Sequence, residues 1–167
     1  MSSLSREARK AAVLTVSDGV HYGTREDRSG DVLAELLAAE GYEVVRRAVP
    51  DEREEITDAI RALGAEARVV LTTGGTGVAP RDVTPEATLE AVERVVPGLA
   101  EAIRADSIAR TPHALLSRGT AGIVGSALVV NLPGSPGGCR DGFAVIRPAL
   151  VHALELIAGE QTAHRQT

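Results

Sequence analysis

Six consecutive residues, Thr72-Thr73-Gly74-Gly75-Thr76-Gly77, join hydroxyls to glycines directly after an apolar run. Glycine lets the backbone approach an anion closely, and threonine hydroxyls can donate to phosphate oxygens, so Thr73 to Gly77 reads as a phosphate or pterin cradle. It has neither the lysine of a Walker A loop nor G-x-G-x-x-G spacing, so neither nucleotide-binding pattern applies. A tight strand-to-helix turn without a ligand is the competing reading, because glycines also mark ordinary turns. Beyond it, Asp82 stands in Pro80-Arg81-Asp82-Val83-Thr84-Pro85. Thr84 is the better helix cap, with Pro85 at the first helical position, which leaves Asp82 free to hold Mg²⁺ on a polyphosphate. A solvated cap is the alternative use of that carboxylate. Asp51, at the end of a second apolar run, can face the same crevice or cap the helix that follows it.

Three further segments carry polar groups at strand or helix ends. Ser17-Asp18 and Asp27-Arg28-Ser29-Gly30 bracket the first crossover, and Ser29 with Gly30 at a helix start could receive an anion or serve as a plain cap. Leu132-Pro133-Gly134-Ser135-Pro136-Gly137-Gly138 is dense in Pro and Gly, a stiff turn whose amides could face a ligand. His21, His113, His152 and His164 have no zinc-site spacing, and no nucleophile-elbow sequence supports a Ser-His-Asp triad. Cys139 beside the Pro-Gly turn reads as a small packing residue.

These residues need elements to position them. Apolar runs at 11–17, 42–49, 68–73 and 127–131 predict strands, the first and third short and continuously apolar as in a buried parallel sheet. Helical spacing predicts helices over 29–40 (capped by Ser29), from Asp51 (with Glu54 completing a capping box) through Ile56, Ile60 and Leu63, over 84–95, 98–109 and 140–158, plus a short one at 112–116. Pro148 is expected to kink or break the last. Strands alternating with helices imply a doubly wound, mostly parallel α/β sheet with helices on both faces, and ligands in such sheets sit outside the carboxyl ends of the strands. Residues 11–158 are read as one domain, with flexible ends at 1–10 and 159–167.

Composition narrows the function. With 44% hydrophobic but only 2% aromatic residues, the core is aliphatic. The 18 basic against 23 acidic residues, a formal net charge of −5, argue against binding a nucleic-acid backbone. A single cysteine fits a reducing compartment. No secretory h-region opens the chain and no apolar run is long enough to span a bilayer, so a cytoplasmic location without membrane contact is expected.

In order along the chain, TVSD, DRSG, VPDE, TTGGTG, PRDVTPEAT, PG, LSRG, AGI and LPGSP resemble the molybdopterin adenylyltransferase family, which includes the bacterial Mog and MoaB proteins. The resemblance runs from about Val13 to Ala158. It implies a three-layer α/β fold, assembly as a homotrimer or homohexamer, and use of Mg-ATP to adenylate molybdopterin with release of pyrophosphate. It further implies that Asp51 and Asp82 are the functional carboxylates, holding Mg²⁺ through the ATP phosphates. Ser107 falls where members place a serine near the pterin, and Gly74 to Gly77, Ser117, Pro133, Gly134 and Ser135 would line the site. Partners in molybdenum insertion or molybdopterin synthesis are implied likewise. The short tail after Ala158 is closer to the MoaB type. After LPGSP the chain reads Gly137-Gly138, where many relatives carry Lys or Asn followed by a small residue. A non-catalytic pterin-binding or scaffold protein of MoaB type is the rival reading. The related domain of competence-damage proteins is a third, disfavoured by the full PRDVTPEAT stretch.

Overall fold

The structure is a computed structural model that describes residues 9–159. Among these residues six strands form one sheet: β1 (Lys10–Val16), β2 (Glu43–Val49), β3 (Val69–Thr73), β4 (Arg94–Val95), β5 (Ala121–Val124) and β6 (Ala127–Leu132), in the spatial order β2-β1-β3-β6-β5-β4. The first four in that order are mutually parallel, while β5 runs antiparallel to both β6 and β4. The helices are α1 (Asp18–His21), α2 (Arg28–Ala39), α3 (Arg53–Glu66), α4 (Thr84–Ala91), α5 (Pro97–Ile108) and α6 (Pro136–Ile157), with a 3-10 turn at Pro112–Leu116.

The period of two along each strand divides the core into two layers. Ala11, Val13, Val69, Leu71, Leu128 and Val130 face one way, against Leu33 and Leu37 of α2, Ile103 of α5 and Phe143, Ile146 and Leu150 of α6. Ala12, Leu14, Val70 and Val129 face the other, against Ile56, Ile60 and Leu63 of α3 and Ala87 of α4. The central strands β1, β3 and β6 are buried on both faces, which is why they read as continuous apolar runs. Helices on both sides of a mostly parallel sheet give the expected three layers.

Several elements differ from the sequence reading. The expected helix over 84–95 stops at Ala91, Val92 turns extended, and Arg94–Val95 pairs with β5. Neither β4 nor β5 was expected; β5 and β6 form a hairpin closed at Gly125-Ser126, with Gly125 at φ 56° and Val124 opposite Ala127. A Gly-Ser pair between apolar runs is a hairpin signal that the small residues of AGIVGSA obscured. The short helix α1 occupies part of the polar stretch after Ser17. Helix α6 begins at Pro136 rather than residue 140, because Ser135 caps it by accepting from the Gly138 amide at 3.1 Å. It runs through Pro148 unbroken, held on either side by Phe143, Ile146, Leu150 and Leu154 against the sheet.

Two caps also change. Asp27, not Ser29, caps α2, accepting from the Gly30 amide at 3.0 Å. Glu52 occupies the cap position of α3 without a side-chain bond, so the box expected from Asp51 and Glu54 does not form; Asp51 is engaged elsewhere. The ends expected to be flexible lie outside the described residues except for residues 9, 10 and 159, and Lys10 already belongs to β1.

Candidate functional site

The chain leaves β1 toward β2 on one side and, after β2, returns to β3 on the other, so the connections diverge at β1 and β3. Such a switch point opens a crevice at the strands' carboxyl ends. A cleft of about 730 Å³ lies there, lined by Ser17, Ser29, Asp51, Thr73, Gly74, Gly75, Asp82, Gly134 and Ser135, together with Thr15, Arg25, Glu26 and Arg28. A second cavity of about 440 Å³ is lined by Thr76, Gly77, Ser107, Ser117, Pro133 and Ser135, with Arg104, Arg110 and His113. The glycine loop and the Pro133–Ser135 turn separate the two.

The floor is backbone. Gly74 has φ 98°, and a Cβ there would stand 2.3 Å from the Val16 carbonyl oxygen; Gly75 has φ 67°, and its Cβ would stand 2.3 Å from Thr84 Oγ1. Both positions therefore require glycine twice over, for conformation and for space. Thr84 does not cap α4. It donates to the Gly74 carbonyl at 2.9 Å, and its amide donates to the Gly75 carbonyl at 3.1 Å. Thr73 Oγ1 donates to the Pro133 carbonyl at 2.7 Å, tying the two loops together.

Asp18 and Asp51 exchange hydrogen bonds across the ends of β1 and β2. The Asp18 amide donates to Asp51 Oδ2 at 2.9 Å, and the Asp51 amide donates to Asp18 Oδ1 at 3.0 Å. Arg81 then closes on Asp18 with Nε at 2.8 Å and Nη2 at 3.1 Å, and reaches Glu52 with Nη2 at 2.9 Å. This guanidinium and the Asp51 amide hold the Asp18 carboxyl below its ordinary pKa. Asp51 moves the other way: burial raises its pKa, and the Asp18 and Asp82 charges add to that against the lowering effect of the Asp18 amide and Arg81. Asp82 turns one oxygen inward, Oδ2 accepting from the Ala79 amide at 3.0 Å.

Each cleft carboxylate thus keeps its Oδ1 outside any hydrogen bond among the described residues. No group of three or more His, Cys, Asp or Glu among the described residues is arranged to hold a metal by itself. Two half-used carboxylates fit Mg²⁺, which keeps water and phosphate oxygens in most of its shell, and would not suit a cation needing a full protein cage. The missing side chains of Gly75 and Gly77 leave the room: a Cβ would lie 3.4 Å from Asp51 Oδ1 at the first and 2.8 Å from Asp82 Oδ2 at the second.

Residues 12–152 match the family described as a probable molybdopterin binding domain. The chain belongs to this family. It is 38% identical over 152 residues to the molybdopterin adenylyltransferase of Helicobacter pylori, covering 88% of this chain and 86% of that enzyme. It is 42% identical over 159 residues to the molybdenum cofactor synthesis protein cinnamon of Drosophila melanogaster, covering 93% of this chain but spanning only 26% of that protein. Among solved structures, the molybdopterin biosynthesis enzyme MoaB of Thermus thermophilus superimposes with a TM-score of 0.83 at 45% identity, covering 90% of this chain and 96% of that one.

Of the expected site residues of this molybdopterin-binding domain, all but two line one or other cavity. Asp18 lies behind Asp51, its carboxylate spent on Arg81 and the Asp51 amide, and the Gly30 amide is spent on Asp27. Ser17 and Ser135 line the cleft while also capping α1 and α6. Four residues with evident structural roles at the site were not singled out from sequence. Thr15 donates to Asp27 at 2.7 Å, Arg81 clamps Asp18, Arg118 grips the glycine loop, and Asn131 links β6 to β3 and α4. An asparagine closing the buried run ALVVN was the available signal for the last, since a buried amide needs partners. Among the described residues no helix is long and apolar enough to cross a membrane.

Proposed function

We propose that this protein works in molybdenum cofactor biosynthesis by binding molybdopterin and transferring to it the adenylyl group of Mg-ATP, with release of pyrophosphate. The observation that carries the reading is the convergence of Asp51 and Asp82, from separate stretches of chain, on one cleft floored by glycine backbone, each with an oxygen to spare. The names of the similar Helicobacter enzyme and Thermus structure support it.

In this reading the larger cleft takes Mg-ATP and the smaller cavity, between Ser107, Ser117 and Gly77, takes the pterin. A phosphate oxygen of molybdopterin attacks the α-phosphorus of ATP, and the bond to pyrophosphate breaks with the electron pair leaving on pyrophosphate. No protein nucleophile is needed. Cys139 could not serve as one, since burial pushes its thiol to about 11 even with Thr73 Oγ1 beside it at 3.4 Å. The chain's part is to position two anions and receive charge. Asp51 and Asp82 would hold Mg²⁺, which when bound would supply charge neutralisation to the phosphates. Thr73 to Gly77 would present amides and hydroxyls to the phosphates, and Ser29, on the cleft wall at the start of α2, would add a hydroxyl. Assembly as a homotrimer or homohexamer, cytoplasmic location and hand-over to molybdenum-inserting or molybdopterin synthase partners belong to the same proposal.

The test is pyrophosphate release from Mg-ATP on addition of molybdopterin. The wild-type chain should release it, and Asp82→Asn should lower the rate by about 10²-fold or more, the scale of losing one preorganised electrostatic group. Full activity in Asp82→Asn would remove that carboxylate from the reaction. Tight molybdopterin binding without pyrophosphate would reassign the protein to carriage of the pterin.

A further inference from the structure

Arg118 lines neither cavity, yet it grips the wall between them. Its amide donates to the Thr76 carbonyl at 2.8 Å, Nε to the Gly77 carbonyl at 2.7 Å and Nη2 to the Asp82 carbonyl at 2.6 Å, while Nη1 pairs with the Glu86 carboxylate. Thr76 and Gly77 face the smaller cavity and Asp82 the larger. Residues 77–82 form an exposed turn with Val78 63% exposed, closed internally by the Asp82 amide on the Ala79 carbonyl at 2.9 Å and the Ala79 amide on Asp82 Oδ2 at 3.0 Å. The carbonyls at the two ends of that turn have no other hydrogen-bond partner among the described residues. A planar guanidinium can serve two carbonyls and a carboxylate at fixed angles, which a lysine ammonium on a flexible stem cannot. Glu86 stays ionised for this role, because the Arg118 hydrogen bond holds its carboxyl below the ordinary value.

We propose that Arg118 is a positioning residue for Asp82: by fixing both ends of the 77–82 turn it sets that carboxylate in the larger cleft and ties its placement to the wall of the smaller cavity. The inference rests on the reading of Asp82 as a carboxylate that holds Mg²⁺ on ATP phosphates. It predicts that loss of Arg118 acts through the metal-dependent part of nucleotide binding, whereas a general loosening of the cleft would weaken binding with or without metal.

The experiment is calorimetric titration of ATP into the full chain, in Mg²⁺ and in EDTA, for the wild type, Arg118→Gln, Asp82→Asn and the double variant. Arg118→Gln should weaken ATP binding about tenfold in Mg²⁺, the lower end of what loss of a ligand-orienting partner costs, and under about twofold in EDTA. In the Asp82→Asn background it should add nothing. Hydrogen exchange on the metal-free protein should show the Ala79 amide opening faster in Arg118→Gln, while amides of β3 and β6 keep their protection. Equal weakening with and without Mg²⁺, or an effect that multiplies with Asp82→Asn, would overturn the proposal. If Asp82→Asn loses the Mg²⁺ dependence while Arg118→Gln keeps it, Arg118 alone is misassigned; if Asp82→Asn keeps it, the reading of Asp82 fails and the proposal falls with it. Should Arg118→Gln not fold, Arg118→Lys and Glu86→Gln, which each leave part of the network, carry the same comparison with the same two outcomes.

Discussion

Replacing Gly74 with alanine tests whether the floor of the cleft is backbone by necessity. Two costs are visible in the structure. At φ 98° an L side chain is strained, and its Cβ would lie 2.3 Å from the Val16 carbonyl oxygen, an atom of a central strand that cannot swing aside. Left-handed strain costs roughly 1–2 kcal/mol, of which about 0.4–1 returns because alanine restricts the unfolded chain. Forcing β1 and the loop apart adds about 1–3 kcal/mol, as overpacking does elsewhere. The net is roughly 1–4.5 kcal/mol, or about 2–18 °C in melting temperature for a chain of this size. Gly125→Ala isolates the first cost, since Gly125 has φ 56° and nothing within 4 Å of its Cβ; it should lose about 1.5 kcal/mol at most. Gly137→Ala, with open space and an ordinary φ in the first turn of α6, should be neutral or gain a few tenths of a kcal/mol. The assay is thermal unfolding followed by circular dichroism on the three variants in parallel. If Gly74→Ala melts within a degree or two of Gly125→Ala, the close approach of β3's exit to β1 is not what demands glycine here, and the reasoning fails.

Asn131→Ala should cost roughly 2–4 kcal/mol, because it strands the buried Thr72 hydroxyl at 2.9 Å and the Thr120 amide at 3.1 Å, and empties space beside Thr88. Urea unfolding should show the midpoint fall with an unchanged slope. For Asp51, a folded-state pKa raised by burial and by the Asp18 and Asp82 charges means the ligand-free fold prefers the protonated form, so this group favours folding in acid and opposes it as pH rises through the folded pKa. Asp51→Asn should therefore melt above the wild type at pH 7, with the gap closing as pH falls toward and below the raised pKa, while Mg²⁺-dependent ATP binding is lost; a variant less stable than wild type at pH 7 would contradict the assignment.

How far the fold could be read in advance depended on burial. β1, β3 and β6 are covered on both faces, so their apolar runs stood out, and the glycines and prolines after them marked where each strand ends. β4 and β5 escaped because neither resembles an isolated strand: β4 is two exposed residues, and Gly122 in β5 is small because a Cβ there would meet the Arg94 carbonyl at 2.7 Å. Capping was legible as a set of candidates and not as a choice among them. Ser29, Asp51 and Thr84 all stand near helix starts, yet Asp27, which was not among the candidates, caps α2, while Asp51 turns to the Asp18 amide and Thr84 to the glycine loop. Arg81 and Arg118 were invisible for a different reason. An arginine's partners here lie 29 to 63 residues away, and nothing in local pattern reports them.

The same diversion of caps explains why the cleft is electrostatically unfinished. Asp51, had it capped α3, would have spent its charge on that helix's amides; instead it is half-buried, leans on one amide and lies within the influence of the Asp18 and Asp82 charges. Arg81 relieves Asp18 and Glu52 but makes no bond to Asp51, and Arg118 spends its guanidinium on the Asp82 carbonyl rather than on its carboxylate. Two arginines therefore build the walls without forming an ion pair to either cleft carboxylate. A protein would gain stability by pairing those charges internally, at the expense of any cation it must hold. That both carboxylates stay unpaired with arginines this close argues that the missing positive charge arrives with the ligand.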